Sequence, residues 1–340
     1  MKKYNVAVVG ASGAVGEEIF CVLQEQKFPI AKIIPLASKR SSGEEIKIFG
    51  QKHRIKETTP EIFAKEEVEI AFFSAGGEVS KEYAPHAVGA GCLVIDNTSH
   101  FRMDPSIPLV VPGVNDEDIA QCNGPGIIAN PNCSTIQMVQ VLAPLHKAFG
   151  IKRVDVSTYQ AVSGAGKRGM EELVHQMQKF FAFELEDASP QAFPHRIALN
   201  LIPQIDKFLP NDFTKEEMKM IQETNKILHS QIAISATCVR VPVLRSHSES
   251  ISITFEREVP ALEARKILEQ AKYIKVCDAP KDLFYPMPMN ATDTDETYVG
   301  RIRNDLYDRK ILHLWCVADQ LRVGAATNAV RIAELWIQKN

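Results

Sequence analysis

Tyr4-Asn-Val-Ala-Val-Val-Gly10-Ala-Ser-Gly13-Ala-Val-Gly16 decides the fold class of this chain. A β-rich run passes into a glycine turn, and the apolar positions Ile19, Val22 and Leu23 then recur at helical spacing. Strand, glycine-rich turn and helix in that order open a dinucleotide-binding unit, whose helix N-terminus meets a pyrophosphate. The spacing is GxxGxxG rather than GxGxxG, so an ordinary tight strand–helix turn stays open as the alternative. The acidic residue that would anchor a ribose about 20 residues further on is missing. The second strand ends instead in Ala37-Ser-Lys-Arg40-Ser41-Ser42. A guanidinium and hydroxyls there suit a 2′-phosphate and favour NADP over NAD; the alternative is a solvated basic loop.

Working outward, apolar runs at 33–36, 69–73, 92–96, 109–112 and 127–129 alternate with helical stretches near 61–66 and 79–90. Such alternation predicts a mostly parallel sheet with helices on its faces. The second half changes character. Runs at 151–160, 197–202, 235–244, 250–257, 299–303 and 311–318 are longer, and several alternate apolar with polar residues. They predict a largely antiparallel α+β domain whose open sheet face invites self-association. A last helix, Leu321 to Trp336, is placed to return to the first domain.

At 340 residues the chain suits two domains. Its net charge of -3 supplies no general basic field, which argues against nucleic acid as a partner. The seven cysteines are scattered without CxxC spacing, which speaks against disulfides and zinc and for a reducing compartment. The N-terminus shows no signal-peptide core, and no apolar stretch reaches the ~18 residues of a membrane span. A cytoplasmic location is expected.

Asn130-Pro-Asn132-Cys133-Ser-Thr135 sets a cysteine where a turn gives way to an apolar helix. The helix dipole and unpaired N–H groups favour a thiolate there and could hold an oxyanion, although buried cysteines are commonly structural. Arg240 falls within a strand, and His247 follows in a serine-rich stretch ending at Glu249. A buried arginine needs an anionic partner, and histidine moves protons near neutral pH; a surface loop is the alternative for His247. Arg102 ends a polar loop after a strand, and Tyr159-Gln160-Ala-Val-Ser163-Gly164 ends another strand in glycine. Thr214 and Glu217 have capping-box spacing, and Lys219 reads equally well as a solvated helix face. No histidine spacing suggests a metal site.

Together these segments resemble aspartate-β-semialdehyde dehydrogenase in its shorter bacterial form, over essentially the whole chain. Gly10–Gly16, Asn130–Gln137, Ser157–Gly166, Arg240 with His247-Ser-Glu249, Leu283–Pro288 and Val299–Arg303 carry the resemblance. N-acetylglutamyl-phosphate reductase and glyceraldehyde-3-phosphate dehydrogenase surround their cysteine differently, the first typically with Asn-Pro-Gly-Cys. A non-catalytic NADP sensor would lack Cys133 or His247, and both are present.

The resemblance implies that Cys133 is the acyl-thioester nucleophile and His247 the general acid/base. It implies that Gln160 orients the substrate, Arg240 pairs with its α-carboxylate and Glu217 meets its α-ammonium. Arg102, Asn132 and Lys219 would hold phosphate, and Ser12, Gly13, Ala14, Val15, Arg40, Ser41, Ser163, Gly164 and Gln320 would contact NADP. The implied reaction is NADPH-dependent reductive dephosphorylation of L-aspartyl 4-phosphate to L-aspartate 4-semialdehyde, with inorganic phosphate released, in the synthesis of lysine, threonine and methionine. The implied architecture is a Rossmann-type NADP domain over 1–130, joined by a C-terminal helix at 321–340, and a catalytic and dimerisation domain over 131–320. The implied assembly is a homodimer, or a tetramer.

Overall fold

The structure, a computed structural model, describes residues 2–185 and 188–339. Met1, Glu186, Asp187 and Asn340, which bound or fall within the expected domains, lie outside the described residues. The chain divides into two units, Met1–Asn132 with Ala325–Asn340, and Cys133–Gly324.

The first unit runs β1 (Tyr4–Val9), α1 (Ala14–Glu25), β2 (Ile30–Ala37), β3 (Glu45–Ile48), β4 (Gln51–Arg54), β5 (Lys56–Glu57), α2 (Ile62–Lys65), β6 (Ile70–Phe73), α3 (Gly77–Gly89), β7 (Leu93–Asp96) and β8 (Gly126–Ala129). Its sheet has the order β5-β2-β1-β6-β7-β8, with every pair parallel. Val6 and Val8 pack with Ile19 and Leu23 of α1, whereas Ala7 and Val9 face Phe63 and Ala84 on the opposite side. Burial on both faces explains why β1 is a continuous apolar run rather than an alternating one. β1 is flanked by β2 on one side and β6 on the other, so the strand order reverses there. The crevice beyond the carboxyl ends of these strands is where such sheets take ligands.

The second unit runs α4 (Cys133–Phe149), β9 (Ile151–Gln160), α5 (Gly166–Phe181), α6 (Lys215–Ile227), β10 (Ala233–Arg240), β11 (His247–Phe255), α7 (Ala261–Gln270), β12 (Ile274–Val276), α8 (Pro288–Ala291), β13 (Thr297–Asn304) and β14 (Ile311–Ala318). The sheet order is β10-β9-β11-β14-β13-β12. β11 pairs antiparallel with β9 and β14, as do β13 and β14; β9–β10 and β12–β13 are parallel. One face is closed by apolar residues of α4, α6 and α7, among them Met138, Leu142, Met220 and Leu268 against Ile251, Ile253 and Leu312. On the other face Tyr159 and Trp315 meet with ring centroids 5.3 Å apart, and Ser250 is exposed. α9 (Thr327–Lys339) belongs to the first unit, where Ala329, Val330 and Ala333 join the core of α1 and β1.

Three expected elements differ. Residues 109–112 contribute only one parallel bridge, Leu109 to Ala129, because Pro108 and Pro112 supply no ladder donors. Residues 197–202 contribute only the Ile202–Arg240 bridge. The N–H groups of Ile197 and Ala198 instead both donate to Gln176 Oε1 at 2.9 Å. The last helix is preceded by a wide π turn over Arg322–Ala326, so regular helix starts at Thr327, not Leu321.

Candidate active site

Strand register and the two-residue period assemble the second unit's polar cluster. Gln160 ends β9 and Arg240 ends β10, and the two are paired in register. His247 opens the antiparallel β11, and its neighbour Ser248 is opposite Tyr159, so all three residues lie at the same end of the sheet. Each occupies the phase of its strand that faces the helices, where Cys238, Glu249 and Ile251 are also buried. α4, packed on that face, begins with Cys133.

Cys133 is half-buried, while Cys92, Cys122, Cys238, Cys277 and Cys316 are buried. Burial pushes the thiol of Cys92 up to about 12 and raises those of Cys238 and Cys316 as well. Those thiols are inert as nucleophiles. Cys133 is close enough to Arg240 for their charges to interact. Gly324, from the π turn, lies against it so closely that a Cβ there would stand 2.6 Å from the Cys133 Cβ.

Arg240 is 6% exposed and forms no ion pair among the described residues. Nη1 donates to the Ala161 carbonyl at 2.7 Å, and the guanidinium lies 5.8 Å from the centre of the Phe193 ring. A buried guanidinium held in this way, without a bonded carboxylate, is a receptor for a planar anion. The close approach of Gly164 is also required, since a Cβ there would stand 2.7 Å from Arg240 Nη1 and 3.2 Å from His247 Nε2. His247 is fully buried; its Nδ1 accepts the Ala161 N–H at 3.0 Å and its Nε2 has no partner among the described residues. Burial, and then the charge of Arg240, hold its pKa well below the ordinary 6.5. The serine-rich segment is thus the buried start of a strand, not a surface loop.

Glu217 requires a correction. Its Oε2 accepts the Thr214 N–H at 2.7 Å, and the Thr214 hydroxyl accepts the Glu217 N–H at 3.3 Å, which completes a capping box at the start of α6. Its Oε1 accepts the Cys238 N–H at 3.0 Å, so both oxygens are committed to structure. Glu216, its neighbour, is the glutamate that joins the polar cluster. Its Oε1 accepts Gln160 Nε2 at 3.4 Å, its Oε2 pairs with Lys219 at 3.0 Å, and its charge acts on Arg240. Lys219 also bonds Asp206 at 3.1 Å. Burial pulls the Lys219 pKa down, but these two carboxylates outweigh it and raise the pKa. Lys219 therefore belongs to the polar cluster rather than to a solvated face. The Glu216–Lys219 spacing of three residues on a helix was the available signal for Glu216. Ser163 and Gln320 lie together: Gln320 Nε2 donates to Ser163 Oγ, and Gln320 Oε1 accepts the Ser246 N–H at 2.8 Å.

The first unit carries two further groups of residues. Ser12, Gly13, Ala14 and Val15 form the turn between β1 and α1, and no side chain caps that helix at Gly13. Its first N–H groups are thus presented at the crevice, as a pyrophosphate requires. A Cβ at Gly16 would stand 2.2 Å from the Gly10 carbonyl oxygen, so glycine is needed for helix and turn to pack. Arg40 and Ser41 lie in a short 3-10 turn just past β2, with Arg40 exposed. Arg102 is 7% exposed; Nε donates to the Asn130 carbonyl at 2.9 Å and Nη2 to that of Asn97 at 2.8 Å. Asn130 is itself tied to Asn97 and Asn328 at 2.8 and 2.6 Å. Asn132 is buried at the end of this unit. Among the described residues no cluster of His, Cys, Asp and Glu could hold a metal ion, and no helix is long and apolar enough to cross a membrane.

Residues 5–122 match the family of semialdehyde dehydrogenase NAD binding domains, and residues 142–323 match semialdehyde dehydrogenase dimerisation domains. The aspartate-semialdehyde dehydrogenase of Campylobacter jejuni is 62% identical over 99% of this chain and 98% of that protein. A crystal structure of aspartate semialdehyde dehydrogenase II from Vibrio cholerae, complexed with ASA, is 46% identical with a TM-score of 0.95 and covers 99% of each chain. The aspartate semialdehyde dehydrogenase of Candida albicans with NADP is 26% identical, with a TM-score of 0.77, covering 100% of this chain and 99% of that one.

Proposed function

Since the chain belongs to the aspartate-semialdehyde dehydrogenase family, we propose that it reduces L-aspartyl 4-phosphate to L-aspartate 4-semialdehyde with NADPH. Inorganic phosphate is released, and the reverse reaction is a phosphate-dependent oxidation that uses NADP. The observation that carries this reading is a half-buried cysteine at a helix start, placed in one cluster with a buried anion-receptive arginine and a neutral histidine.

Arg240 takes the α-carboxylate of the substrate through its open guanidinium edge. The α-ammonium goes to Glu216, because Glu217 has no free oxygen, and Gln160 orients the acyl group beside it. Arg102, Asn132 and Lys219 hold the phosphate. The Cys133 thiolate attacks the acyl carbon, a tetrahedral oxyanion forms, and its collapse breaks the bond to phosphate and leaves a thioester on sulfur. The reducing hydride is the contribution of bound NADPH, whose 2′-phosphate suits Arg40 and Ser41 and whose pyrophosphate suits residues 12–15. His247, with its proton on Nε2, keeps that proton and hydrogen-bonds the oxyanion of the reduced carbon until the carbonyl re-forms. Cleavage of the C–S bond then returns the thiolate and frees the semialdehyde.

This activity belongs to the synthesis of lysine, threonine and methionine. A cytoplasmic homodimer is the state in which we place it, with the half-open sheet face that carries Tyr159 and Trp315 available for self-association. The test is NADP reduction by L-aspartate 4-semialdehyde with and without inorganic phosphate. Turnover that depends on phosphate is expected, and turnover indifferent to phosphate would overturn the assignment.

A further inference from the structure

Beneath the reactive cluster, two buried polar side chains lie close together, with no other partner among the described residues. Glu249 is fully buried on β11, and neither carboxyl oxygen has a well-formed hydrogen bond. Gln137 is 1% exposed on α4, and both its amide atoms are equally without one. The two lie side by side, close enough for the amide to act on the carboxyl. No described cation pairs with Glu249, and its register neighbours Thr158 and Cys316 carry no charge to offset it. An isolated buried carboxylate is strongly disfavoured, whereas a neutral acid can donate to an amide oxygen without that cost. Burial accordingly pushes the Glu249 pKa well above the usual carboxylate range.

The two positions join the reacting residues. Gln137 is one helical turn after Cys133, and Glu249 is two residues after His247 on the same face of its strand. The Gln137 carbonyl also receives the Cys316 thiol at 3.8 Å, so this turn of α4 already rests on β14. We propose that Glu249 and Gln137 are a positioning pair. The uncharged carboxyl of Glu249 hydrogen-bonds the Gln137 amide, and that bond sets the helix of Cys133 against the strand of His247. The pair touches neither substrate nor cofactor, and the inference rests on the reaction proposed above.

The test compares Glu249→Gln, Glu249→Leu, Gln137→Leu and the double leucine variant with the wild-type protein. Peptide-resolved iodoacetamide alkylation of Cys133 reads the nucleophile's setting without any substrate, and kcat and KM are normalised to titrated Cys133. Each leucine variant should lower kcat by about 10²-fold, the loss expected from a small misplacement of reacting groups, with KM nearly unchanged. Each should also change the Cys133 alkylation rate. The double variant should be no worse than either single one, because both remove the same bond. Glu249→Gln, neutral and of the same shape, should keep most of the wild-type turnover and alkylation rate. Loss in Glu249→Gln equal to that in Glu249→Leu, losses that multiply, or unchanged kcat and alkylation in the leucine variants would each overturn the pair. If Glu249→Leu does not fold, Gln137→Leu against Glu249→Gln decides the same question. Absence of phosphate-dependent turnover in the wild type would instead defeat the proposed reaction, while the alkylation comparison would still judge the pair.

Discussion

His247 Nδ1 accepts the backbone N–H of Ala161 at 3.0 Å, and this contact decides which ring nitrogen meets the substrate. A neutral imidazole has one N–H, so with Nδ1 accepting, the proton is on Nε2. A second proton would have to sit on Nδ1, facing another N–H in a fully buried site beside Arg240. Folded His247 therefore stays neutral at a pH where unfolded His247 becomes charged. Its contribution to stability is whole above the ordinary pKa of 6.5 and is lost as pH falls below it. Melting temperature should drop between about pH 7.5 and about pH 5.5, and His247→Asn should lessen that drop. An equal drop in both proteins would show that His247 is not held neutral.

Cys133→Ala should abolish turnover and leave the melting temperature close to wild type, because the side chain is half-buried and the covalent route has no other thiol to use. Rapid quenching with the semialdehyde and NADP, in the absence of phosphate, should leave an acyl adduct on the Cys133 peptide in mass spectra. An adduct on any other cysteine would displace Cys133 from its role.

Glu216 and Glu217 are adjacent but should fail in opposite ways. Glu217→Ala removes a helix cap and the tie to Cys238, so it should cost about 1–2 kcal/mol of stability with KM little changed. Glu216→Ala should leave the fold stable and raise KM for the semialdehyde. Denaturant unfolding and steady-state kinetics on both variants separate the two outcomes.

Arg240 and Lys219 are assigned to different anions. A charge-assisted bond is worth about 1.5–3 kcal/mol, so each loss should cost about 10- to 100-fold in the step it serves. Arg240→Leu should impair semialdehyde use at every phosphate concentration, whereas Lys219→Ala should chiefly raise the apparent KM for phosphate. Matching profiles would erase the distinction.

Arg40, exposed past β2, should matter only to a cofactor that carries a 2′-phosphate. Arg40→Ala should weaken NADPH binding far more than NADH binding in a fluorescence titration. Equal weakening would reduce Arg40 to a surface charge.

The order strand, glycine turn, helix at residues 4–23 was enough to place a dinucleotide fold, because local periodicity and glycine sterics act within a few residues. The same local rules predicted the Thr214–Glu217 capping box and put Cys133 at a helix start, as the structure has them. They also overreached at 109–112 and 197–202, where apolar runs form no ladder since prolines lack donors and Gln176 takes the backbone N–H groups. Only the tertiary structure could decide that Gln160, Arg240 and His247 share one end and one face of the sheet. That depends on register between strands far apart in sequence, and a shift of one residue would turn each side chain to the other side. It also set two adjacent glutamates in different surroundings. Chemistry alone makes Glu216 and Glu217 equal; what separates them is which carboxylate the surrounding N–H groups of Thr214 and Cys238 had already taken.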